Sequence, residues 1–142
     1  MKKRICIISL MLLTAISITA HEKDFPKLTG PYLGQTPPGL TPEIFAPGIV
    51  STDFYHHCSP SISPDGKEIY WAMAPLDAMR QIYFSKWKDD RWTKAENLGN
   101  EFSEATCPYV SPEGKYLFFL EMGQGYNDVY WVDAKIIKEM KH

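Results

Sequence analysis

The segment Cys58-Ser-Pro-Ser-Ile-Ser-Pro-Asp-Gly-Lys-Glu-Ile-Tyr-Trp71 occurs a second time in the chain, as Thr106-Cys-Pro-Tyr-Val-Ser-Pro-Glu-Gly-Lys-Tyr-Leu-Phe-Phe119. The two copies align without a gap, and the second begins 48 residues after the first. A looser match follows, between Gln81-Ile-Tyr-Phe84 and Asp128-Val-Tyr-Trp131. Agreement of this length and order predicts two copies of one structural unit.

Each copy contains a turn that leads into a strand. In the turn Ser63-Pro-Asp-Gly66, proline presets its own φ and glycine accepts a positive φ. The structural residues Asp65 and Gly66 have Glu113 and Gly114 as their counterparts. The strand that follows is apolar on both faces, since one side carries Ile69, Trp71 and Met73 and the other carries Tyr70 and Ala72. A sheet with one face in water would alternate apolar and polar residues, so both faces must be covered.

Small antiparallel sheets stacked face to face provide that cover, and the blades of a β-propeller are the common example. We therefore predict an all-β fold of two stacked antiparallel blades, over about 49–99 and 100–134. Strands are predicted near residues 58–62, 67–73, 80–86, 92–98, 107–110, 115–121 and 128–133. A short C-terminal helix is predicted over 134–141, where Ile136, Ile137 and Met140 share one side.

Residues 1–20 are typical of a secretory signal peptide. Three basic residues precede an apolar run from Ile5 to Ile18, and Ala20 offers a cleavage site. A transmembrane anchor is the competing interpretation, but the run falls short of the roughly 20 residues that a bilayer core requires. No later segment is apolar enough to span a membrane. We therefore expect an exported protein, periplasmic or extracellular.

Residues 21–48 are rich in proline and glycine, which excludes a helix or a central strand. An extended tether and an extended arm that packs along the domain both fit this composition. The arm is favoured because the segment contains apolar residues that a free linker would not need, namely Phe25, Tyr32, Leu33, Leu40, Ile44 and Phe45.

The repeats also carry a family resemblance. Ser63-Pro-Asp-Gly-Lys-Glu-Ile-Tyr70 and Ser111-Pro-Glu-Gly-Lys-Tyr-Leu-Phe118 resemble the WD-like, Pro-Asp-type repeat of TolB-like periplasmic β-propeller proteins. Trp92-Thr-Lys-Ala-Glu-Asn-Leu-Gly99 resembles the outer strand of that repeat. The resemblance covers nearly the whole mature chain and implies a propeller-type fold. It implies no particular activity, since propellers serve many functions. With two repeats, the chain looks like a short or internally truncated member.

Candidate binding residues lie where the chain enters the first repeat. In a propeller, this loop lies near one mouth of the central channel, which makes Tyr55, His56 and His57 candidates. Adjacent strand residues point to opposite faces, and a metal site needs three or four convergent ligands, so neither a metal site nor any cofactor is predicted. Trp87, between two lysines, is the tryptophan expected to be exposed, whereas Trp71 and Trp131 are expected in the core.

Composition and motifs restrict the function. The formal charge is −2 and no basic stripe exists, so a nucleic-acid partner is not expected. No catalytic residue is predicted, because the acidic residues Glu43, Asp53, Asp77 and Glu104 are scattered without visible pairing. The favoured hypothesis is a non-enzymatic binding or scaffold module with a protein, peptide or glycan ligand. The alternative is a remnant of an exported propeller hydrolase that acts on glycans or peptides.

Two further features concern the way the blades meet. Cys58 and Cys107 are one position out of step in the repeat, because Cys107 aligns with Ser59. A slip of one residue moves a side chain to the other face of the strand, so the two sulfurs point either toward or away from each other. The sequence therefore allows both a disulfide and two free thiols. Two blades cannot close a ring, so each blade has an uncovered apolar face. The Pro-rich arm or the C-terminal helix is expected to cover one of these faces, and a second copy of the chain the other. We therefore predict that the protein is not a stable monomer.

Overall fold

The computed structural model describes residues 25–53, 55–75, 79–122 and 127–139. The predicted signal peptide and residues 140–142 lie outside these ranges. Within these ranges, nine strands and one α-helical turn follow in chain order, besides two 3-10 turns: β1 (Tyr55–His57), β2 (Ser61–Ile62), β3 (Glu68–Pro75), β4 (Gln81–Lys88), β5 (Arg91–Trp92), β6 (Glu96–Asn97), β7 (Ala105–Val110), β8 (Tyr116–Met122), β9 (Asn127–Asp133) and α1 (Ile136–Glu139).

The strands form two antiparallel sheets, which we call blade 1 and blade 2. In blade 1, β1 and β2 pair with one edge of β3, β4 pairs with the other edge, and β5 and β6 pair with the outer edge of β4. In blade 2 the order is β7-β8-β9, and β9 is the last strand of the described sheet. The prediction of an all-β fold with antiparallel sheets is confirmed.

The repeated turn has the same backbone in both blades. Gly66 and Gly114 have φ of 69° and 72°, a region that favours glycine. Each glycine N–H donates to the carbonyl of the repeat serine, Ser63 or Ser111, at 2.8 Å. In blade 1 the carboxylate of Asp65 also accepts hydrogen bonds from the Ser63 hydroxyl and from the backbone N–H of Lys67. Asp65, Gly66 and Gly114 therefore form hydrogen bonds within the two turns.

A β-bulge recurs at the proline before each turn. In blade 2 the register passes from Thr106↔Leu120 to Tyr109↔Phe118, so that two residues of β7 face one of β8. One of the two is a proline, which has no N–H for the ladder, and such residues are tolerated at bulges. In blade 1 the register passes from His57↔Met73 to Ser61↔Tyr70, again with one extra residue.

Blade 1 is covered on one face by the Pro-rich segment. Leu33 and Ala46 of this segment, together with the adjacent Val50, are buried against the blade residues Ile69, Trp71 and Trp92. Two hydrogen bonds join the segment to Trp92, whose indole N–H donates to the carbonyl of Gly30 at 2.8 Å and whose backbone N–H donates to that of Leu28 at 3.0 Å. Residues 25–48 therefore contribute a segment that packs along the blade, and we call it the arm.

The other face of blade 1 packs on blade 2 and forms the larger core. Its fully or nearly fully buried members come from both blades and their connections: Tyr70, Ala72, Ile82, Phe84, Leu98, Phe102, Ala105, Val110, Leu117 and Ile137. Ile137 belongs to α1, a single turn within the predicted helix over 134–141. A helix of the predicted length is not supported.

Candidate functional site: the open side of blade 2

The residues predicted at the entry to blade 1 lie side by side in the short strand β1. Tyr55 and His56 lie in β1 opposite Pro75 and Ala74, and the side chain of Tyr55 lies outside what the structure describes. His56 is exposed. The Nε2 of His57 accepts a hydrogen bond from the backbone N–H of Thr52 at 2.9 Å and lies 3.1 Å from its hydroxyl. His57 therefore holds the preceding loop.

Two of the tryptophans, Trp87 and Trp131, differ from their predicted environments, whereas Trp71 does not. Trp87 is half-buried and packs edge-on against Trp92, with ring centroids 5.7 Å apart. Its side chain therefore packs against the core between the arm and blade 1. Trp71 is fully buried. The prediction for Trp131 is wrong, because this side chain is 63% exposed. Its local sequence matches that of a core strand, but no described strand or blade lies against its outer face.

Cys58 and Cys107 are joined in a disulfide, with Cα atoms 5.4 Å apart. This is far closer than the spacing of about 10 Å between stacked sheets, because the blades touch at their innermost strands. There the backbone N–H of Val110 in β7 donates to the hydroxyl of Ser61 in β2 at 2.9 Å. Cys107 adopts a φ of 50° at the bulge. The disulfide therefore connects the two blades where they are nearest.

The described residues show no metal centre, since no three His, Cys, Asp or Glu side chains among them come together. Of the acidic residues considered as catalytic candidates, Glu43, Asp53 and Glu104 are among the described residues, whereas Asp77 lies outside the described ranges. No helix in the described ranges has both the length and the apolar character to cross a membrane.

A groove of about 600 Å³ separates the two blades at the end where the repeat turns lie. Its wall contains a polar network, in which the Lys86 ammonium lies 2.9 Å from the Glu68 carboxylate and the Tyr70 hydroxyl donates to the same carboxylate. Burial, together with Glu68, raises the pKa of Tyr70. The groove lining carries four acidic and four lysine residues: Asp65, Glu68, Glu113, Asp133, Lys67, Lys86, Lys115 and Lys135. The balanced charge favours no ionic ligand.

The most unusual surface is the outer side of blade 2. The register matches Ile82 of blade 1 with Val129 of blade 2, and Phe84 with Trp131. Ile82 and Phe84 are 0% and 3% exposed, whereas Val129 and Trp131 are 69% and 63% exposed. Positions that lie in the core of one blade are therefore open in the other.

Aromatic rings dominate this outer side. The Phe118 ring stacks on Trp131 with centroids 5.9 Å apart, and Tyr116 lies 4.9 Å from Trp131. Tyr109, which is 54% exposed, lies 6.4 Å from Phe118 on the other side. We call this surface the aromatic face; its members are Tyr109, Tyr116, Phe118, Leu120, Val129 and Trp131. The sequence predicted that a terminal blade has an uncovered apolar face, but it did not identify these residues and placed Trp131 in the core, because each strand resembles its buried counterpart.

Acidic residues lie at the rim of β9. Glu121 and Asp128 are directly opposite each other across β8 and β9, both exposed. Like charges in this position are destabilising, and neither carboxylate forms an ion pair with any residue that the structure describes. Asp133, at the other end of β9, accepts a hydrogen bond from the backbone N–H of Lys135 at 2.9 Å. The start of β9, where Asp128 faces Glu121, therefore has a negative charge that no described residue compensates.

No family model matches the chain, and no curated protein matches it. Among solved structures, the chain is similar to the β-propeller domain of the Trilobed protease from Pyrococcus furiosus, described as having an open velcro topology. The match has a TM-score of 0.43 and 16% identity, and it covers 58% of this chain and 25% of that chain. A similarity at this level supports no conclusion about activity, and the two-blade architecture rests on the strands and the repeat described above.

Proposed function

We propose that the protein is a non-enzymatic binding module of the periplasm or cell envelope, and that it contacts a protein partner through the aromatic face of blade 2. The observation that carries this proposal is the exposure of Val129 and Trp131 at positions that are buried in blade 1. A contiguous apolar surface in water is unusual for a monomer and typical of an interaction site. Aromatic residues are also enriched in protein interfaces.

The location in the envelope rests on the sequence. The basic and apolar segments at the start of the chain are typical of a secretory signal, and the repeats resemble those of TolB-like periplasmic proteins. The disulfide between the blades supports the same location, because disulfides persist in oxidising compartments. Amino-terminal sequencing of the secreted protein tests this part, and a mature chain that begins near His21 is expected.

Site-specific photo-crosslinking in living cells tests the binding surface. A photoreactive phenylalanine analogue replaces Trp131 in one variant and Leu40 in a control; Leu40 is fully exposed in the arm, away from blade 2. We expect discrete crosslinked protein bands at position 131 and none at position 40. No band at 131, or the same bands at both positions, would contradict the proposal.

The hydrolase remnant remains the alternative from the sequence, and no specific feature of the described residues favours it. Activity assays on peptides and oligosaccharides separate the two functions. Hydrolysis that persists in the Trp131 variant would favour the alternative.

A further inference from the structure

We infer that β9 binds its partner by β-strand addition, and that the added strand is an extended segment with apolar and basic residues. This inference rests on the proposed function and names the chemistry of the partner. The added segment would take the place beside β9 that β5 and β6 take beside β4 in blade 1. It would span up to the seven residues of β9, or about 24 Å.

Blade 1 shows how an outer strand is held. The carbonyl of Ile82 accepts a hydrogen bond from the backbone N–H of Leu98, and the carbonyl of Lys86 accepts one from Thr93, both at 2.8 Å. The backbone N–H of Lys86 donates to the Thr93 hydroxyl at 3.1 Å. Alternate residues of β4 thus direct their backbone groups outward, and the residues after β4 satisfy them.

In the part of the chain that the structure describes, no strand lies beside the same groups of β9. The backbone N–H of Ala134 donates to the carbonyl of Lys115 at 2.9 Å, which shows which residues of β9 direct their backbone toward β8. Since the direction alternates along a strand, the backbone groups of Val129, Trp131 and Asp133 point to the other edge. β9 is the terminal strand of the described sheet. A row of unpaired N–H and C=O groups is a template for a further strand.

Blade 1 also indicates which side chains suit this place. Gln81 is the register equivalent of Asp128, and its side-chain carbonyl accepts a hydrogen bond from the amide of Asn97 in the outer strand β6. A donor is therefore appropriate beside Asp128. Asp128 faces Glu121 across the ladder, and the two carboxylates repel each other. A lysine or arginine of the added strand beside Asp128 would donate a hydrogen bond to this carboxylate and would also reduce the repulsion. The neighbouring Val129 and Trp131 favour apolar residues on the same strand.

A second copy of this chain does not match these requirements through its own β9. That strand has two acidic residues, Asp128 and Asp133, and no basic one. Pairing of β9 with β9 would bring the carboxylates of both copies to one edge, where like charges repel. The charge of the edge therefore favours a basic segment of a different protein.

The probe for the test is a capped, fluorophore-labelled peptide of seven alternating lysine and valine residues, measured by fluorescence anisotropy against the folded, oxidised protein. One control peptide is N-methylated at its valines, so that these residues cannot donate backbone hydrogen bonds. A second control has glutamate in place of lysine. We expect the dissociation constant to rise at least about tenfold for each control, since each loss corresponds to about one or two hydrogen bonds or ion contacts.

Two variants of the protein complement the peptides. Val129→Pro removes an outward N–H but none of the hydrogen bonds from β9 to β8, and proline is tolerated on an edge strand. Val129→Ser removes the same apolar side chain and keeps the N–H. We expect the proline variant to bind the lysine–valine peptide at least about tenfold more weakly than the serine variant. Circular dichroism and urea unfolding show whether each variant is folded, and the peptide controls do not depend on any variant.

The outcomes separate the inference from the proposed function. Equal binding of the N-methylated and unmodified peptides, or no binding of either, would overturn strand addition while crosslinking at position 131 still supports a binding module. Light scattering that shows a dimer undisturbed by saturating peptide would make a second copy the occupant and overturn the inference. Absence of crosslinks at position 131 would remove the proposed function itself.

Discussion

The disulfide allows a quantitative test of the way the two blades hold each other. Its loss in the double variant Cys58→Ser/Cys107→Ser releases a loop whose ends are 49 residues apart in sequence. The loop-entropy relation for a loop of this length gives a loss of about 4 kcal/mol in the free energy of unfolding. A urea dependence of about 1–2 kcal/mol per molar converts this into a midpoint lower by about 2–4 M.

Urea unfolding followed by tryptophan fluorescence measures the effect. The single variant Cys58→Ser and the reduced wild-type protein are the controls, and both are expected to lose as much stability as the double variant, because each lacks the same bond. Thiol titration of the denatured, unreduced wild-type protein should find no free thiol at either position. Two free thiols per chain, or a double variant within about 1 kcal/mol of the oxidised wild type, would refute the reasoning.

Three further predictions concern the turns and the core, and urea unfolding measures the first two. Gly66→Ala should lower the free energy of unfolding by about 1–2 kcal/mol, because Gly66 has a φ of 69° even though no atom obstructs a Cβ. The control Gly39→Ala, at a position with equal space and no positive φ, should leave the free energy of unfolding nearly unchanged. Equal losses in the two variants would contradict this. Leu117→Ala, in the core between the blades, should lower the free energy of unfolding by about 2–5 kcal/mol. Leu120 is half-buried, so Leu120→Ala should lower it clearly less, and the reverse order would contradict the packing. Hydrogen bonds from Ser63 and from the backbone of Lys67 lower the pKa of Asp65 below 3.8, so its small stabilisation is present above that pH and lost as the pH falls through the folded-state pKa. Asp65→Asn should therefore reduce the acid-induced loss of stability, and unchanged pH profiles would show that Asp65 contributes nothing.

The repeat predicted the sheets well because the information is local. Turn residues with special backbone angles and strands with two apolar faces are visible in a single sequence, and the structure has antiparallel strands near each predicted range. The predicted strand over 92–98 is interrupted, since only β5 and β6 pair with β4 there. The bulges at Pro60 and Pro108 could have been expected from the missing N–H of proline.

An uncovered apolar face was predictable from the number of repeats, but the residues that form it were not. Trp131 lies in a strand whose pattern is that of the buried Phe84, and exposure depends on neighbours that the local pattern does not encode. The sequence left the disulfide undecided for a related reason, because the average spacing between sheets does not describe the innermost strands, where the blades touch. Distances between elements come from the fold as a whole.

The arm has a consequence for any attempt to lengthen the protein. It occupies the face of blade 1 that holds Ile69 and Trp71, so head-to-tail stacking of whole molecules is blocked at that end. Heterologous stacking that does not close would otherwise generate filaments. The pair of blades thus has two different ends, because the arm covers the outer face of blade 1 and no described element covers the outer face of blade 2. An engineered chain with extra 48-residue units should therefore accept them after β9 and reject them before blade 1, and the arm would act as a permanent terminator of growth.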